Sequence, residues 1–265
     1  MTNERSFADR LERFWRQVGT GIAFTLFGIG GLFLTLLVFP FINLVFRDRE
    51  RRALAAQRTV HATWKLFIRV AIALGTIEVE TDGEDLLRGA TGTLVIANHP
   101  SLLDVVLIMS LMTRTQCVVK RGVWKNPFMR GVVRAANYIP NLGDPEQTLS
   151  DCIAALQAGN NLVIFPEGSR TVPGQAMHLE RGFANIAIRS GAPIRLVTVS
   201  CTPPMLRKGE KWYQSPMRRP RFHVRVCDQM DTRNLYASDT PSRDARRLTA
   251  HVTRRFEELL TNESA

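Results

Sequence analysis

The sequence predicts an α/β fold: a mostly parallel, mixed sheet flanked by helices, preceded by an N-terminal membrane-docking helical segment. Three observations carry this. Residues 17–46 hold no charged side chain. Beyond them, short apolar or β-branched runs alternate with helical stretches. Those runs are continuously apolar, as expected of parallel strands covered on both faces.

The elements follow in order. The apolar segment is long enough for a membrane helix, since eighteen or more such residues suffice. A straight helix of that length would measure about 45 Å, more than the roughly 30 Å of hydrocarbon. Gly28, Gly30 and Gly31 lie near its middle, and Pro40 interrupts its second half. Arginines flank both ends: Arg5, Arg10, Arg13 and Arg16 before, Arg47, Arg49, Arg51 and Arg52 after. Basic residues mark the cytoplasmic side, so a re-entrant or interfacial helical pair, entering and leaving on that face, is expected slightly ahead of a single tilted span. The expected division is residues 1–52 for this segment and 53–265 for the α/β domain.

A helix is expected over 50–73. Strands are expected at 77–80, 93–97, 116–120, 162–165, 194–200 and 222–226. Helices at 102–113, 126–136, 147–158 and 180–190 separate most of them. Asp239-Thr240-Pro241 opens a last helix, with Leu248, Val252 and Phe256 on its core-facing stripe.

The net charge of +11 is localised. Residues 1–70 contribute +6, residues 203–225 another +6, and the rest −1. Such patches imply an anionic partner. The apolar neighbour of the first makes it a membrane patch, and no nucleic-acid module is recognisable. Cys117, Cys152, Cys201 and Cys227 lie far apart, with no metal-ligand spacing, and read as reduced core thiols; no metal is expected.

Two strand ends carry the candidate chemistry. The second strand runs into Asn98-His99-Pro100-Ser101-Leu102-Leu103-Asp104. On one helix, His99 and Asp104 would point about 140° apart. They meet only if His99 precedes the helix and Asp104 lies in its first turn. Pro100 supplies that break, because it drives His99 out of the α region and suits a helix start. An imidazole with an orienting carboxylate is half of a triad. No G-x-S-x-G nucleophile elbow accompanies it, so the pair suits deprotonation of a hydroxyl on a second substrate. The fourth strand runs into Phe165-Pro166-Glu167-Gly168-Ser169-Arg170. Ligands gather at the carboxyl ends of parallel strands. Gly168 permits close backbone approach, and Arg170 offers a planar fork to a phosphate or carboxylate, with Glu167 expected to fix Arg170 or touch the acceptor.

Together these features resemble the glycerolipid acyltransferase family, typified by 1-acylglycerol-3-phosphate acyltransferase. The family's first signature, His, four residues, Asp, matches His99 to Asp104. Its third, Phe-Pro-Glu-Gly-Thr/Ser-Arg, matches Phe165 to Arg170. The resemblance runs from about 60 to 205, and the apolar N-terminus is similar to the family's membrane-docking helices.

The resemblance implies transfer of a fatty acyl group from an acyl thioester, on CoA or acyl carrier protein, to a lysophospholipid hydroxyl. No bound cofactor is implied; the thioester is a co-substrate, and membrane lipids and its carrier are the partners. His99 would be the general base and Asp104 its orienter, with Glu167, Gly168, Ser169 and Arg170 on the substrate side. The leading acceptor is 1-acyl-sn-glycerol-3-phosphate, giving phosphatidic acid. The alternatives are a phosphate-free lipid acceptor or a non-catalytic lipid-binding protein.

Departures from the family pattern bear on the acceptor. The second block usually ends in an arginine associated with the acceptor phosphate; here that stretch is Ala136-Asn137-Tyr138-Ile139-Pro140-Asn141-Leu142. Where the family often has Phe-Lys-x-Gly, this chain has Leu179-Glu180-Arg181-Gly182. The fourth block lacks its second proline, reading Ala192-Pro193-Ile194-Arg195-Leu196. Lys120, Arg121, Lys125 and Arg181 are candidates to replace the lost charge. Among the other histidines, His61, His223 and His251 read as surface or core, and His178 as a weak candidate for the acceptor entrance.

Overall fold

A computed structural model describes residues 7–172, 175, 177–232 and 240–264. Arg5 and Asp239 lie outside the described residues. The chain begins with helix α1 (Phe7–Phe33), which passes through a π-helical turn at Leu34–Val38 into α2 (Phe39–Val45). Residues 10–45 therefore form one continuous helix, not a pair. Proline removes a donor and clashes with the carbonyl four residues back, and a wider π turn before Pro40 accommodates both. Gly31 does not bend the helix either: a Cβ there would collide with the carbonyl of Phe128. Gly131 stands in the same relation to the side chain of Thr35. These two glycines let the N-terminal helix approach the domain closely. Gly131→Ala should therefore lower stability by about 1–3 kcal/mol, the usual cost of overpacking, read from the denaturant midpoint.

Helix α3 (Arg49–Ala73) follows, capped by Asp48, whose carboxylate accepts from the backbone N–H of Arg51 at 2.8 Å. Then come β1 (Glu78–Asp82), β2 (Leu94–Ala97), α4 (Asp104–Met109), β3 (Thr115–Lys120), α5 (Arg121–Lys125), α6 (Arg130–Ala135) and β4 (Ile139–Asn141). The rest is α7 (Pro145–Gln157), β5 (Asn161–Ile164), α8 (Gly182–Ser190), β6 (Ile194–Thr202), β7 (Arg221–Met230) and α9 (Pro241–Ser264).

The seven strands form one sheet in the order β1-β7-β6-β2-β5-β3-β4. Every neighbouring pair is parallel except β6 with β7. The expected mostly parallel, mixed sheet is the one observed. Strand β4 is additional: its Pro140 and three-residue length hide it in the sequence, and its position at a sheet edge tolerates the missing donor. The expected helix at 102–113 is only α4, and that at 126–136 only α6.

Alternate residues of each strand feed two cores. Val95, Ala97, Val163 and Val197 face α3, α4 and the N-terminal helix, with Val60, Trp64, Leu34, Phe39 and Ile42. Leu94, Ile96, Leu162 and Ile194 face α7, α8 and α9, with Cys152, Phe183, Leu248 and Phe256. The first core runs without interruption from Leu34 through α3, which spans residue 52, into the sheet.

Candidate active site

The site grows from the carboxyl end of β2. Asn98 locks this strand end by pairing with the main chain of Val199 on β6: its Nδ2 donates to Val199 O at 2.8 Å, and Val199 N donates to its Oδ1 at 2.7 Å. His99 follows in irregular backbone, and Asp104 is the first residue of α4. Nδ1 of His99 lies 3.0 Å from Oδ2 of Asp104. The expected break at Pro100 thus produces the expected pair. The His99 ring also packs on Phe165, with centroids 4.4 Å apart.

Asp104 is fully buried. Its Oδ2 also accepts the backbone N–H of Ser101 at 2.7 Å, while Oδ1 is buried with no hydrogen-bond partner. Burial disfavours the charged form and pushes the carboxyl up from 3.8 to about 6, against the hydrogen bond and charge of His99. With Nδ1 held by the carboxylate, Nε2 is the nitrogen left to accept a proton. The thiols of Cys117, Cys152 and Cys201 are pushed up to about 12 by burial, so none of them supplies a thiolate at neutral pH.

The turn after β5 reaches across to hold His99. Glu167 Oε1 accepts the backbone N–H of His99 at 3.0 Å and the hydroxyl of Thr171 at 2.8 Å. Thr171 N donates in turn to His99 O at 2.7 Å. Glu167 therefore positions His99, and none of its hydrogen bonds goes to Arg170. Thr171 had no sequence signal; it stands one residue past the motif, and only the fold brings it to His99. Gly168 adopts φ +64°, the left-handed region that a residue with a Cβ adopts only under strain.

The basic residues separate. Arg170 sends Nη1 to the carbonyls of Leu206 and Arg207, at 2.7 and 3.0 Å, and so clamps the loop between β6 and β7. Lys120 Nζ donates to Gly168 O at 2.5 Å, inside the site. Arg121 and Lys125 are exposed on α5, Arg181 precedes α8, and His178 is exposed; no hydrogen bond or ion pair links these four side chains to the motif residues among the described contacts. Ser169 lies at the turn, with its hydroxyl 3.5 Å from Lys208 Nζ.

A His–Asp pair at one parallel strand end, braced by a Phe-Pro-Glu-Gly-Ser-Arg turn at the next, defines an acyltransferase domain. The family model described as Acyltransferase matches residues 76–202, which include both motifs. Among similar proteins is the chloroplast 1-acyl-sn-glycerol-3-phosphate acyltransferase BAT2 of Brassica napus, 26% identical over 72% of this chain and 56% of that protein. Another is the alpha form of 1-acyl-sn-glycerol-3-phosphate acyltransferase from Mus musculus, 25% identical over 80% of this chain and 72% of that protein. The chain spans about half the length of the plant relatives from Brassica napus and Arabidopsis thaliana. The crystal structure of the 1-acyl-sn-glycerophosphate acyltransferase PlsC from Thermotoga maritima shares the fold, with a TM-score of 0.69, 20% identity, and coverage of 96% of this chain and 98% of that one. Residues 76–202 thus match an acyltransferase domain, and the chain is similar over most of its length to 1-acyl-sn-glycerol-3-phosphate acyltransferases.

Proposed function

We propose that this protein transfers a fatty acyl group from an acyl thioester, on CoA or acyl carrier protein, to the free hydroxyl of 1-acyl-sn-glycerol-3-phosphate, giving phosphatidic acid. The observation that carries this is the His99–Asp104 pair at 3.0 Å, which occupies Nδ1 and leaves Nε2 without a hydrogen bond among the described residues. In the reaction, Nε2 takes the hydroxyl proton as the oxygen attacks the thioester carbonyl. The C–O bond forms, the C–S bond breaks, and the departing sulfur recovers the proton from His99. Asp104 stabilises the imidazolium between these steps. No acyl-enzyme is needed.

We further propose that the chain docks on the cytoplasmic face of a membrane through the N-terminal helix. One face of that helix is held by the domain from Arg13 to Ile42. The opposite face leaves Leu11, Val18, Ile22, Leu26, Ile29 and Phe33 exposed at helical spacing. A helix bound along its length to the domain lies in the interface plane, with its stripe in the acyl region.

The test is turnover of purified protein with both thioester carriers and a panel of lysolipids. The reading expects phosphatidic acid from lysophosphatidic acid. Acylation confined to a phosphate-free hydroxyl would overturn this acceptor. Arg170→Ala frees the 203–210 chain from the catalytic turn, and a lost charge-assisted bond costs about 1.5–3 kcal/mol. Its kcat/KM should therefore fall at least about tenfold.

A further inference from the structure

The family pattern places a second cation for the acceptor phosphate at the end of the second block. Here that position is Leu142, exposed just past β4 and uncharged. The structure brings a cation from the opposite side. The loop that follows β6 crosses past the end of β2 toward the turn after β5, and its route is fixed by main-chain contacts. Leu206, at φ +54° and 4% exposed, turns its carbonyl to Leu102 N at 3.2 Å as well as to Arg170. Arg207 is neutralised by Glu210, with Nε 2.6 Å from Oε1. The next residue, Lys208, is exposed and reaches Ser169 Oγ at 3.5 Å. Lys120 approaches the same turn from β3 and donates to Gly168 O.

Two ammonium groups therefore meet one turn through neutral oxygens. Among the described residues neither has a carboxylate partner. Like charges gathered around one turn repel each other, and an anion placed between them reverses the sign of that energy. Their place relative to the base is set by the sheet. In the order β6-β2-β5-β3, His99 ends β2, the Gly168-Ser169 turn ends β5, and the lysines arrive from β6 and β3 on either side.

We propose that Lys208, together with Lys120 and the Ser169 hydroxyl, binds the phosphate of the acceptor in place of the absent second-block arginine. This rests on the acyl-transfer reading. In lysophosphatidic acid a short glycerol bridge joins the phosphate to the reacting hydroxyl, so the groups that bind it must border His99. The turn does so, because Glu167 in it bonds His99. The phosphates of a thioester carrier lie at the far end of the pantetheine arm, away from the reacting carbon.

The test uses the full chain with Lys208→Ala and Lys208→Arg. The Ala variant should raise KM for lysophosphatidic acid at least about tenfold, the loss of one charged contact. KM for the thioester should not rise with it, and Lys208→Arg should restore part of the loss. An unchanged KM for lysophosphatidic acid, or a rise confined to the thioester, overturns the assignment while acyl transfer stands. If the unsubstituted chain acylates no lysolipid, the acyl-transfer reading itself fails. Glycerol 3-phosphate binding by calorimetry then decides the cradle: binding that needs Lys208 upholds it, and binding independent of Lys208, or none, overturns it.

Discussion

His99→Ala should lose nearly all turnover while remaining folded and membrane-bound. Removing a general base typically costs 10²–10⁴ in rate. The ring packs on Phe165 and is partly exposed, so its truncation leaves the sheet and both cores intact. Asp104→Asn should lose less, because the imidazole remains but is poorly held. The role is falsified if folded His99→Ala keeps more than about a tenth of the activity. The pH profile adds a second reading. The Asp104 carboxyl sits near 6 because it is buried with one oxygen unpartnered. Above that pH it is charged and supports the imidazolium; below it, the carboxyl is protonated and that support is lost. Activity should therefore fall as pH drops through about 6, and Asp104→Asn, which cannot titrate, should displace that limb. For stability the sign is opposite: an acid raised above its unfolded value favours folding at low pH, and that contribution is lost as pH rises from about 4 through about 6.

The second large effect is on docking. The protein should pellet with anionic vesicles and resist extraction by high salt, since apolar burial is not screened whereas charge is. Substituting Asp at Ile22, Leu26 and Ile29 together should release it. These side chains are 40%, 48% and 59% exposed, so the substitutions leave the helix–domain contacts in place. Burying the exposed half of three such side chains is worth roughly 2–4 kcal/mol. Retained secondary structure by circular dichroism separates release from unfolding. Complete extraction of the unsubstituted protein by salt would rule out an inserted stripe.

Much of this molecule is legible in its sequence, and the exceptions have physical causes. Six strands are announced by continuous apolar runs, and the His99–Asp104 geometry by Pro100. Strand β4 is not, since its three residues include Pro140 and are ordered by pairing with β3. The glycines and Pro40 suggest a broken apolar segment, yet Gly31 is there for close packing and Pro40 is absorbed by a π turn. Spacing cannot distinguish a hinge from a contact. In the site, Glu167 and Arg170 are conspicuous by motif, but their partners are backbone atoms: His99 N for one, and Leu206 O and Arg207 O for the other. Main-chain partners carry no residue signature, so neither role is readable before folding. Lys208 is hidden for the same reason, being one cation in a basic stretch until that clamp places it.

The N-terminal helix grips the β6–β7 loop in a related way. Arg13 donates to Ser215 O at 3.1 Å, Gln17 to Tyr213 O at 3.0 Å, and Arg16 to Met217 O. Every acceptor is a carbonyl, which all twenty residue types possess, while every donor is a particular side chain. Substitutional freedom at this junction is therefore lopsided. Positions 213, 215 and 217 can change identity without removing the acceptor, whereas a change at 13, 16 or 17 deletes the donor. A library randomised on both sides should recover functional chains far more often from the loop than from the helix.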